Sequence, residues 1–186
     1  MEHHNQRIML TKRLLKEALL ELLQKKPIEK VSISELCAKA GINRATFYRH
    51  YNLPQDIIEE IGRDMIQDVH RRFPIPAFRG DTRSYLVKIC HYFHDHAEVI
   101  CTLIRNNSDQ TFTHLLTDAF DELVRPEQLT FGGRAADEAD MRLVCACLSG
   151  ASSAMLRQWL IEEPQKTPEE IADLLFGIVH HVAERS

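Results

Sequence analysis

The fold is decided by residues 31–51, which read VSISELCAKAGINRATFYRHY. Ser32 followed by Glu35 has the form of a capping box, which predicts that a short helix begins directly after Ser32. Gly41 suits the left-handed residue that ends a helix, and Asn43 suits the cap of a further helix over residues 44–50. Two short helices joined by a tight glycine-containing turn indicate a helix-turn-helix.

A helix-turn-helix binds DNA by placing its second helix in the major groove, where the N-terminal residues reach base edges. Arg44 holds that position and can pair with both acceptors of a guanine, while Ala45 can contact a thymine methyl group. Thr46 can reach a base or a phosphate. The other predicted DNA contacts are polar or basic side chains placed to hold the DNA backbone, namely Thr11, Lys12, Ser32, Ser34, Asn43, Tyr48, Arg49 and His50. The alternative for each of these residues is a solvated surface side chain.

Helical periodicity continues on both sides of this stretch. A first helix is predicted over residues 11–25, with Thr11 as a possible cap, Lys12 in its opening turn and Pro27 ending it. A fourth helix is predicted to begin near Pro54, with Asn52 as its cap and Gln55 as the third helical residue, and to end at about residue 72.

The rest of the chain also has a helical pattern. Further helices are predicted over residues 82–96, 99–106, 110–124 and 137–162, with a loop over residues 126–136. A last helix begins sharply, with Thr167 as cap, Pro168 first and Glu170 third. No run alternates convincingly between apolar and polar residues, so the predicted fold class is all-α, with about nine helices.

The net charge of −4 conceals a division into two parts. Residues 1–51 hold ten Lys and Arg and five Asp and Glu, whereas residues 52–186 hold thirteen and twenty-two. A basic N-terminal part on an acidic remainder predicts that only the former meets a polyanion. We therefore expect a helix-turn-helix DNA-binding domain over residues 1–52 and a helical domain over residues 53–186.

Several classes of protein are not expected. No apolar run approaches the ~20 residues of a membrane span, and the first residues lack the apolar core of a signal peptide, so a cytoplasmic location is expected. Five cysteines at irregular spacing, without a Cys-x-x-Cys pair, fit neither a disulfide framework nor a zinc ribbon. No catalytic motif or phosphate-binding loop is present, so we expect neither an enzyme nor a bound cofactor.

The histidines leave one alternative open. His91 and His94 are spaced to share a helix face, with Cys90 and Cys101 nearby and His180 and His181 further along the chain, as a metal or thiol sensor would require. The other interpretation is that these side chains are simply polar or line a pocket, so we predict no metal ligands.

Ala40-Gly41-Ile42 and Thr46-Phe47-Tyr48-Arg49-His50-Tyr51 resemble the tetracycline-repressor (TetR) family of bacterial transcription regulators. The resemblance covers about residues 8–58 in sequence, and the remainder matches in its layout of helices. Trp159-Leu160 followed by Thr167-Pro168-Glu169-Glu170 looks like the branch that includes dihydroxyacetone-kinase regulators. One position departs from the family, which commonly has a phosphate-binding Lys where this chain has Pro54. The contact is then missing or moved, for example to backbone amides of that turn.

The resemblance implies a homodimeric, ligand-responsive regulator, most often a repressor, that binds a palindromic double-stranded DNA operator and an unidentified small-molecule effector. It implies an effector pocket in the helical domain, for which the candidates are Met65, Phe73, Tyr92, Phe93, Phe112, Leu115, Met155 and Trp159. Small side chains in the helix over 137–162 and a wide apolar stripe on the last helix favour a four-helix dimer interface, formed by Leu148, Ser152, Met155, Leu174, Leu175, Ile178 and Val182. The alternative function is a partner-dependent co-regulator or activator whose helical domain docks a small molecule or a protein.

Overall fold

The computed structural model describes residues 2–74, 81–106, 130–131 and 134–184. These residues form eight α-helices, one 3-10 turn at Ile28–Lys30 and one pair of very short strands. The helices are α1 Glu2–Leu23, α2 Ile33–Ala40, α3 Arg44–Tyr48, α4 Pro54–Arg72, α5 Thr82–Asp95, α6 Ala97–Arg105, α7 Glu138–Glu162 and α8 Pro168–Glu184. The all-α prediction is confirmed, and the predicted helix over residues 110–124 lies outside the described residues.

Three of the helix starts that were predicted from caps are confirmed, namely those after Ser32, Asn43 and Thr167. The Ser32 hydroxyl accepts the Glu35 amide at 3.2 Å, and the Asn43 side chain accepts the Thr46 amide at 2.7 Å. At the last helix the Thr167 hydroxyl accepts the Glu170 amide while the Glu170 carboxylate accepts the Thr167 amide at 2.8 Å. These local bonds satisfy amides that have no partner inside the helix, and they therefore fix where each helix begins.

The predicted start of the first helix was wrong. α1 begins at Glu2 rather than near Thr11, because no glycine or proline interrupts residues 2–10 and nothing there stops the helix. Thr11 is consequently a residue of the helix interior and not a cap. Lys12 lies well inside the helix as well, so its charge does not oppose the dipole at the helix start.

Three further predictions needed correction. α3 ends at Tyr48, and residues 49–50 form a turn. α4 begins at Pro54, as predicted, but the predicted cap of Asn52 with Gln55 is wrong. The side chain that accepts the amides before the helix is Asp56. Within the predicted loop over 126–136, Thr130–Phe131 pairs with Arg134–Ala135 as two short antiparallel strands.

The chain divides into two compact units, and each has its own core. The first contains Met1–Met65 and Thr102–Ser108, and its fully buried side chains include Leu15, Leu19, Leu36, Phe47 and Ile57. The second contains Ile66–Cys101 and Asp109–Ser186, with Cys90, Phe93, Leu156 and Trp159 among its most buried side chains. The predicted division of function after residue 52 stays a prediction, because compactness alone does not locate a functional boundary.

Among the described residues, no helix has the length and apolar character needed to cross a membrane.

Candidate nucleic-acid interface

The turn between α2 and α3 depends on Gly41. Its φ of 67° is left-handed, a conformation that costs a residue with a Cβ about 1–2 kcal/mol. The Gly41 amide bonds the carbonyl of Ala38, and the Ile42 amide bonds that of Cys37 at 2.9 Å. These bonds end α2 and direct the chain into α3 within three residues.

α3 is held to the first unit from one side. Phe47 is fully buried, as is Leu36 on α2. Since Phe47 faces the core, the opposite side of this short helix faces solvent and presents Arg44, Ala45, Tyr48 and Arg49. Two of the three predicted base-reading residues, Arg44 and Ala45, are therefore exposed together with the predicted backbone contacts Tyr48 and Arg49, whereas Thr46 is half-buried. We call this exposed surface the recognition face.

The recognition face carries positive charge, and its side chains are held by contacts with neighbouring residues. Arg49 Nη2 donates to the Thr46 hydroxyl at 2.9 Å, which ties a half-buried threonine to an exposed guanidinium. The rings of Tyr48 and Phe47 pack edge to face with their centroids 5.5 Å apart, and Tyr48 is 50% exposed. Such a surface offers guanidinium and phenol donors to bases and phosphates.

The other residues predicted to contact the DNA backbone from α2 and from the ends of α3 are exposed or half-buried. Ser32 and Ser34 are exposed at the start of α2, and Asn43 is exposed at the start of α3. His50 is half-buried in the turn that follows α3. Ser32 and Asn43 already use their side-chain oxygens as caps, so only their remaining capacity is open to a phosphate.

Lys12 is engaged within the protein. Its Nζ lies 2.9 Å from Glu60 Oε2, and Lys16 Nζ lies 2.7 Å from Glu60 Oε1. Lys16 also pairs with Asp64. The partial burial of Glu60 alone would raise its pKa, but the hydrogen bonds from the two lysines outweigh burial and lower the pKa to about 2. Thr11, the other predicted contact on α1, is half-buried.

The role of Glu60 and Asp64 was missed in the sequence, although a signal was present. Both pairs, Lys12 with Lys16 and Glu60 with Asp64, have the four-residue spacing that places side chains on one helix face. The two helices thus carry complementary pairs, which we call the α1–α4 ion-pair cluster.

The turn before α4 cannot offer two of its amides to DNA in this conformation. The Asp56 carboxylate accepts the amide of Asn52 at 2.6 Å and that of Leu53 at 3.0 Å. These amides were the suggested replacement for the lysine that the family has at Pro54. The expectation of a substitute contact therefore fails for Asn52 and Leu53, because Asp56 fills the position that an anion would take.

Three of the eight candidate pocket residues are core side chains. Trp159 is 1% exposed, and its indole donates to the Lys166 carbonyl at 2.9 Å; Tyr92 and Phe93 are also buried. Met65, Phe73 and Met155 are half-buried, whereas Phe112 and Leu115 lie outside the described residues. The pocket assignment stays a prediction.

The histidines are used in side-chain contacts. His91 Nε2 lies 2.7 Å from Glu169 Oε1, and the ring of His94 stacks on Trp159 at 6.0 Å. Burial raises the pKa of Cys90 to about 12, which disfavours the thiolate that a metal or an oxidant needs. No group of three or more potential metal ligands comes together among the described residues, and His180 and His181 lie where side chains are not described.

The predicted dimer residues fall into two groups. Leu148, Ser152 and Leu175 are buried within the monomer and belong to its own core. Leu174 is 51% exposed, Ile178 is 37% exposed and Met155 is half-buried; the side chain of Val182 is not described. α7 adds an exposed row of mostly small residues beside Leu143, namely Ala146, Cys147, Gly150, Ala151 and Ala154. Side chains left exposed on these two helices form the surface that a second copy could cover.

Two family models match the chain. Residues 15–61 match the model described as bacterial regulatory proteins, tetR family, and residues 80–181 match the model of a transcriptional regulator C-terminal region. No curated protein sequence matches the chain significantly.

Solved structures share the fold over nearly the whole chain. A TetR transcriptional regulator from Streptococcus agalactiae 2603V matches with a TM-score of 0.71 and 22% identity, covering 96% of this chain and 98% of that one. The dihydroxyacetone kinase operon activator DhaS matches with a TM-score of 0.63 and 13% identity, over 94% of this chain and 97% of that one. NalD, the secondary repressor of the MexAB-OprM multidrug efflux pump in Pseudomonas aeruginosa, gives 0.62 and 18% identity, over 94% and 96%. At these identities the matches establish the fold, and the predicted kinship with dihydroxyacetone-kinase regulators stays a prediction.

Proposed function

Because this chain belongs to the TetR family of bacterial regulatory proteins and is a DNA-binding transcriptional regulator, we propose that it binds a pseudo-palindromic operator as a homodimer. Each copy inserts the start of α3 into the major groove. The two grooves lie roughly 34–36 Å apart, which is one turn of DNA. The protein acts in the cytoplasm, where its operator is located.

The observation that carries this proposal is the recognition face. α3 is capped by Asn43 and anchored by the buried Phe47, so the exposed Arg44 projects from the first turn of a fixed helix. A guanidinium at that position can donate two hydrogen bonds to a guanine, one to O6 and one to N7. Such a bidentate pair discriminates against a wrong base by about 1–3 kcal/mol. Tyr48, Arg49 and the serines of α2 supply contacts to the DNA backbone.

Dimerisation is supported by the exposed apolar side chains of the second unit. Leu174 and Ile178 lie one turn apart on α8, and the small residues of α7 permit close approach of another helix. A partner that covers these side chains removes apolar surface from water at about 25 cal/mol per Å². Two copies would bring together α7 and α8 of each in a four-helix interface.

The regulation we propose is repression that is relieved by a small molecule bound in the helical domain. Such an effector weakens operator binding only through its differential affinity for the two conformations of the dimer. Phe73 and Met155 are half-buried candidates in the second unit, where an apolar effector could replace protein packing.

Selection of duplexes from a random DNA pool tests this function. We expect enrichment of inverted half-sites, two chains bound per duplex, and loss of preference at one base pair per half-site in the Arg44→Ala variant. Arg83→Ala, which removes an arginine from the second unit, serves as the matched control and should select the unaltered site. Failure to enrich any sequence, or enrichment only in the presence of a second protein, would contradict the proposal.

A further inference from the structure

Several lysines of the first unit are held by carboxylates of the same unit. Lys12 Nζ lies 2.9 Å from Glu60 Oε2, and Lys16 Nζ lies 2.7 Å from Glu60 Oε1. Two further lysine pairs involve α2, namely Lys39 with Glu21 and Lys26 with Glu35. By contrast, Arg44 and Arg49 are exposed on the recognition face. The basic side chains of this unit thus have two uses, one of which lies inside the protein.

Lys12 is held more closely than an ordinary surface lysine. Its ammonium pairs with Glu60 and also lies over the ring of Tyr51, 5.5 Å from the ring centroid, which is within range of a cation–π contact. The Lys12 side chain is 34% exposed and that of Glu60 is 17% exposed. Both contacts are therefore partly removed from water, so that their attraction is screened less than that of an exposed pair.

A DNA phosphate would have to compete with both contacts for Lys12. Drawing the ammonium away would uncover one oxygen of a carboxylate that water reaches poorly, and the phosphate would then meet a negative charge that the lysine had masked. Lys16 holds the other carboxylate oxygen and also pairs with Asp64, so it is not free to replace Lys12. These effects favour a Lys12 that keeps its internal partners.

The internal partners of Lys12 meet at the end of the recognition helix. Tyr51 follows the turn after α3, is 4% exposed, and packs its ring against Phe47 with the centroids 6.0 Å apart. The Tyr51 amide also donates to the Phe47 carbonyl at 3.0 Å. Phe47 is the buried side chain that anchors α3, and Glu60 belongs to α4. Lys12 on α1 therefore contacts both α4 and the residue that supports the anchor of α3.

We propose that Lys12 is a positioning residue, which stays on Glu60 and Tyr51 in the operator complex and sets the orientation of the recognition helix. It makes no phosphate contact, and the charge contacts come from the exposed arginines of the recognition face. Loss of Lys12 lets Tyr51 and Phe47 shift, so that Arg44 meets its base pair in a poorer geometry. This role rests on the proposed function, since it requires that α3 reads the operator.

Operator titrations of the full-length protein across a salt series test this role. Lys12→Met should weaken operator binding about tenfold, as expected for loss of a hydrogen bond to a charged group, with little change in affinity for non-specific DNA. The slope of log affinity against log salt should stay that of the unsubstituted protein, whereas loss of a phosphate contact would reduce it by about 0.9 per half-site. Lys12→Arg, whose guanidinium can bind a carboxylate and lie over an aromatic ring, should restore affinity.

Three further variants complete the comparison. Arg49→Ala removes an exposed charge and should reduce the slope by about 0.9 per half-site. Lys166→Met removes a lysine that pairs with Glu170 at 3.3 Å in the second unit, and it should change neither affinity nor slope. Lys12→Gln keeps an uncharged donor for Glu60 and should bind more tightly than Lys12→Met at the same slope, and it provides the test if Lys12→Met does not fold.

A slope that falls by about 0.9 per half-site in Lys12→Met or Lys12→Gln would overturn this role and make Lys12 a phosphate contact. Operator affinity that neither substitution changes would overturn it too, because the placement of α3 would then not depend on Lys12. The proposed function survives both results. Absence of operator binding by the unsubstituted protein would contradict the proposed function itself.

Discussion

Asn43 is the side chain on which the position of the recognition helix most depends. α3 has only five residues, so most of its amides lie in the first turn and lack a carbonyl partner within the helix. The Asn43 oxygen accepts the Thr46 amide at 2.7 Å, and the Asn43 carbonyl accepts the amides of Thr46 and Phe47. One side chain thus starts the helix and also lies at the predicted DNA surface.

Two substitutions separate these roles of Asn43. Asn43→Ala should lower the free energy of unfolding by ~1 kcal/mol, because the cap is lost. Asn43→Asp keeps a capping oxygen, so stability should be retained, but its negative charge faces phosphates and operator affinity should fall. Urea unfolding and DNA titration of both variants provide the measurements. Equal stability of the two variants, or undiminished binding by Asn43→Asp, would contradict this assignment.

Arg44 should determine base preference rather than affinity for DNA in general. Arg44→Ala should weaken operator binding by about 1–3 kcal/mol per lost bidentate contact and relax preference at one base pair in each half-site. Binding to non-specific DNA should change far less, because that binding comes from phosphate contacts spread over many residues. Competition titrations with single-base operator variants measure the preference, and an unaltered preference would show that another residue reads the base.

Helix positions were predictable from sequence where the deciding bond is local. Ser32, Asn43 and Thr167 each cap an amide three residues ahead, and a signal of that length can be recognised without knowing the fold. The start of α1 has no comparable signal. The pairing of Lys12 with Glu60 joins residues 48 positions apart, so only the packed helices reveal it.

The sequence also could not predict which apolar side chains of the long helices are buried and which are exposed. Leu174 and Leu175 are neighbours of the same type, yet one is half exposed and the other is buried. The apolar residues of α8 cover a face wide enough to pack against two sets of helices. Which part of that face is buried within the monomer is decided by the positions of α5 and α7, and the sequence of α8 alone does not contain this information. The sequence therefore predicted a set of apolar residues in which Leu174 and Ile178 are exposed and Leu175 is buried, and it could not separate the two kinds. The dimer surface itself stays a prediction.

The α1–α4 ion-pair cluster predicts how stability depends on pH. Glu60 has a pKa of about 2 in the folded protein against an ordinary value of 4.5, so its contribution to stability is present above about pH 4.5. That contribution is lost as the pH falls from about 4.5 towards 2, because the unfolded chain takes up the proton first.

Glu60→Gln should therefore be less stable than the unsubstituted protein at neutral pH, and the difference should shrink below about pH 4.5. Glu59→Gln removes an equal charge from an exposed position on the same helix and serves as the control. Thermal unfolding from pH 7 to pH 3 measures both. A stability difference for Glu60→Gln that does not change with pH would rule out the ion pairs as its cause.

The proposed dimer is the assembly on which the proposed operator recognition depends, because a single recognition helix contacts only one half-site. Leu174 and Ile178 leave apolar surface uncovered in the monomer, whereas the buried Leu148 and Leu175 already stabilise it. Substitution at the exposed positions should accordingly affect assembly without unfolding the protein.

Leu174→Asp should convert the dimer to monomer at micromolar concentration, because it places a charge in an apolar interface. Helix content should remain, and operator binding should lose the contribution of the second half-site. Asp173→Ala, at the adjacent exposed position, should remain dimeric. Sedimentation equilibrium and circular dichroism measure the two effects; a Leu174→Asp protein that stays dimeric would exclude this surface of α8.

Operator recognition by a dimer can be tested with a footprint of the purified protein on the intergenic DNA beside its own gene, repeated across a salt series. We expect a protected pseudo-palindrome whose half-sites lie about one helical turn apart, with affinity that falls steeply as salt rises. No protection at low salt, or protection that appears only when another protein is added, would contradict a dimer that recognises its operator through α3.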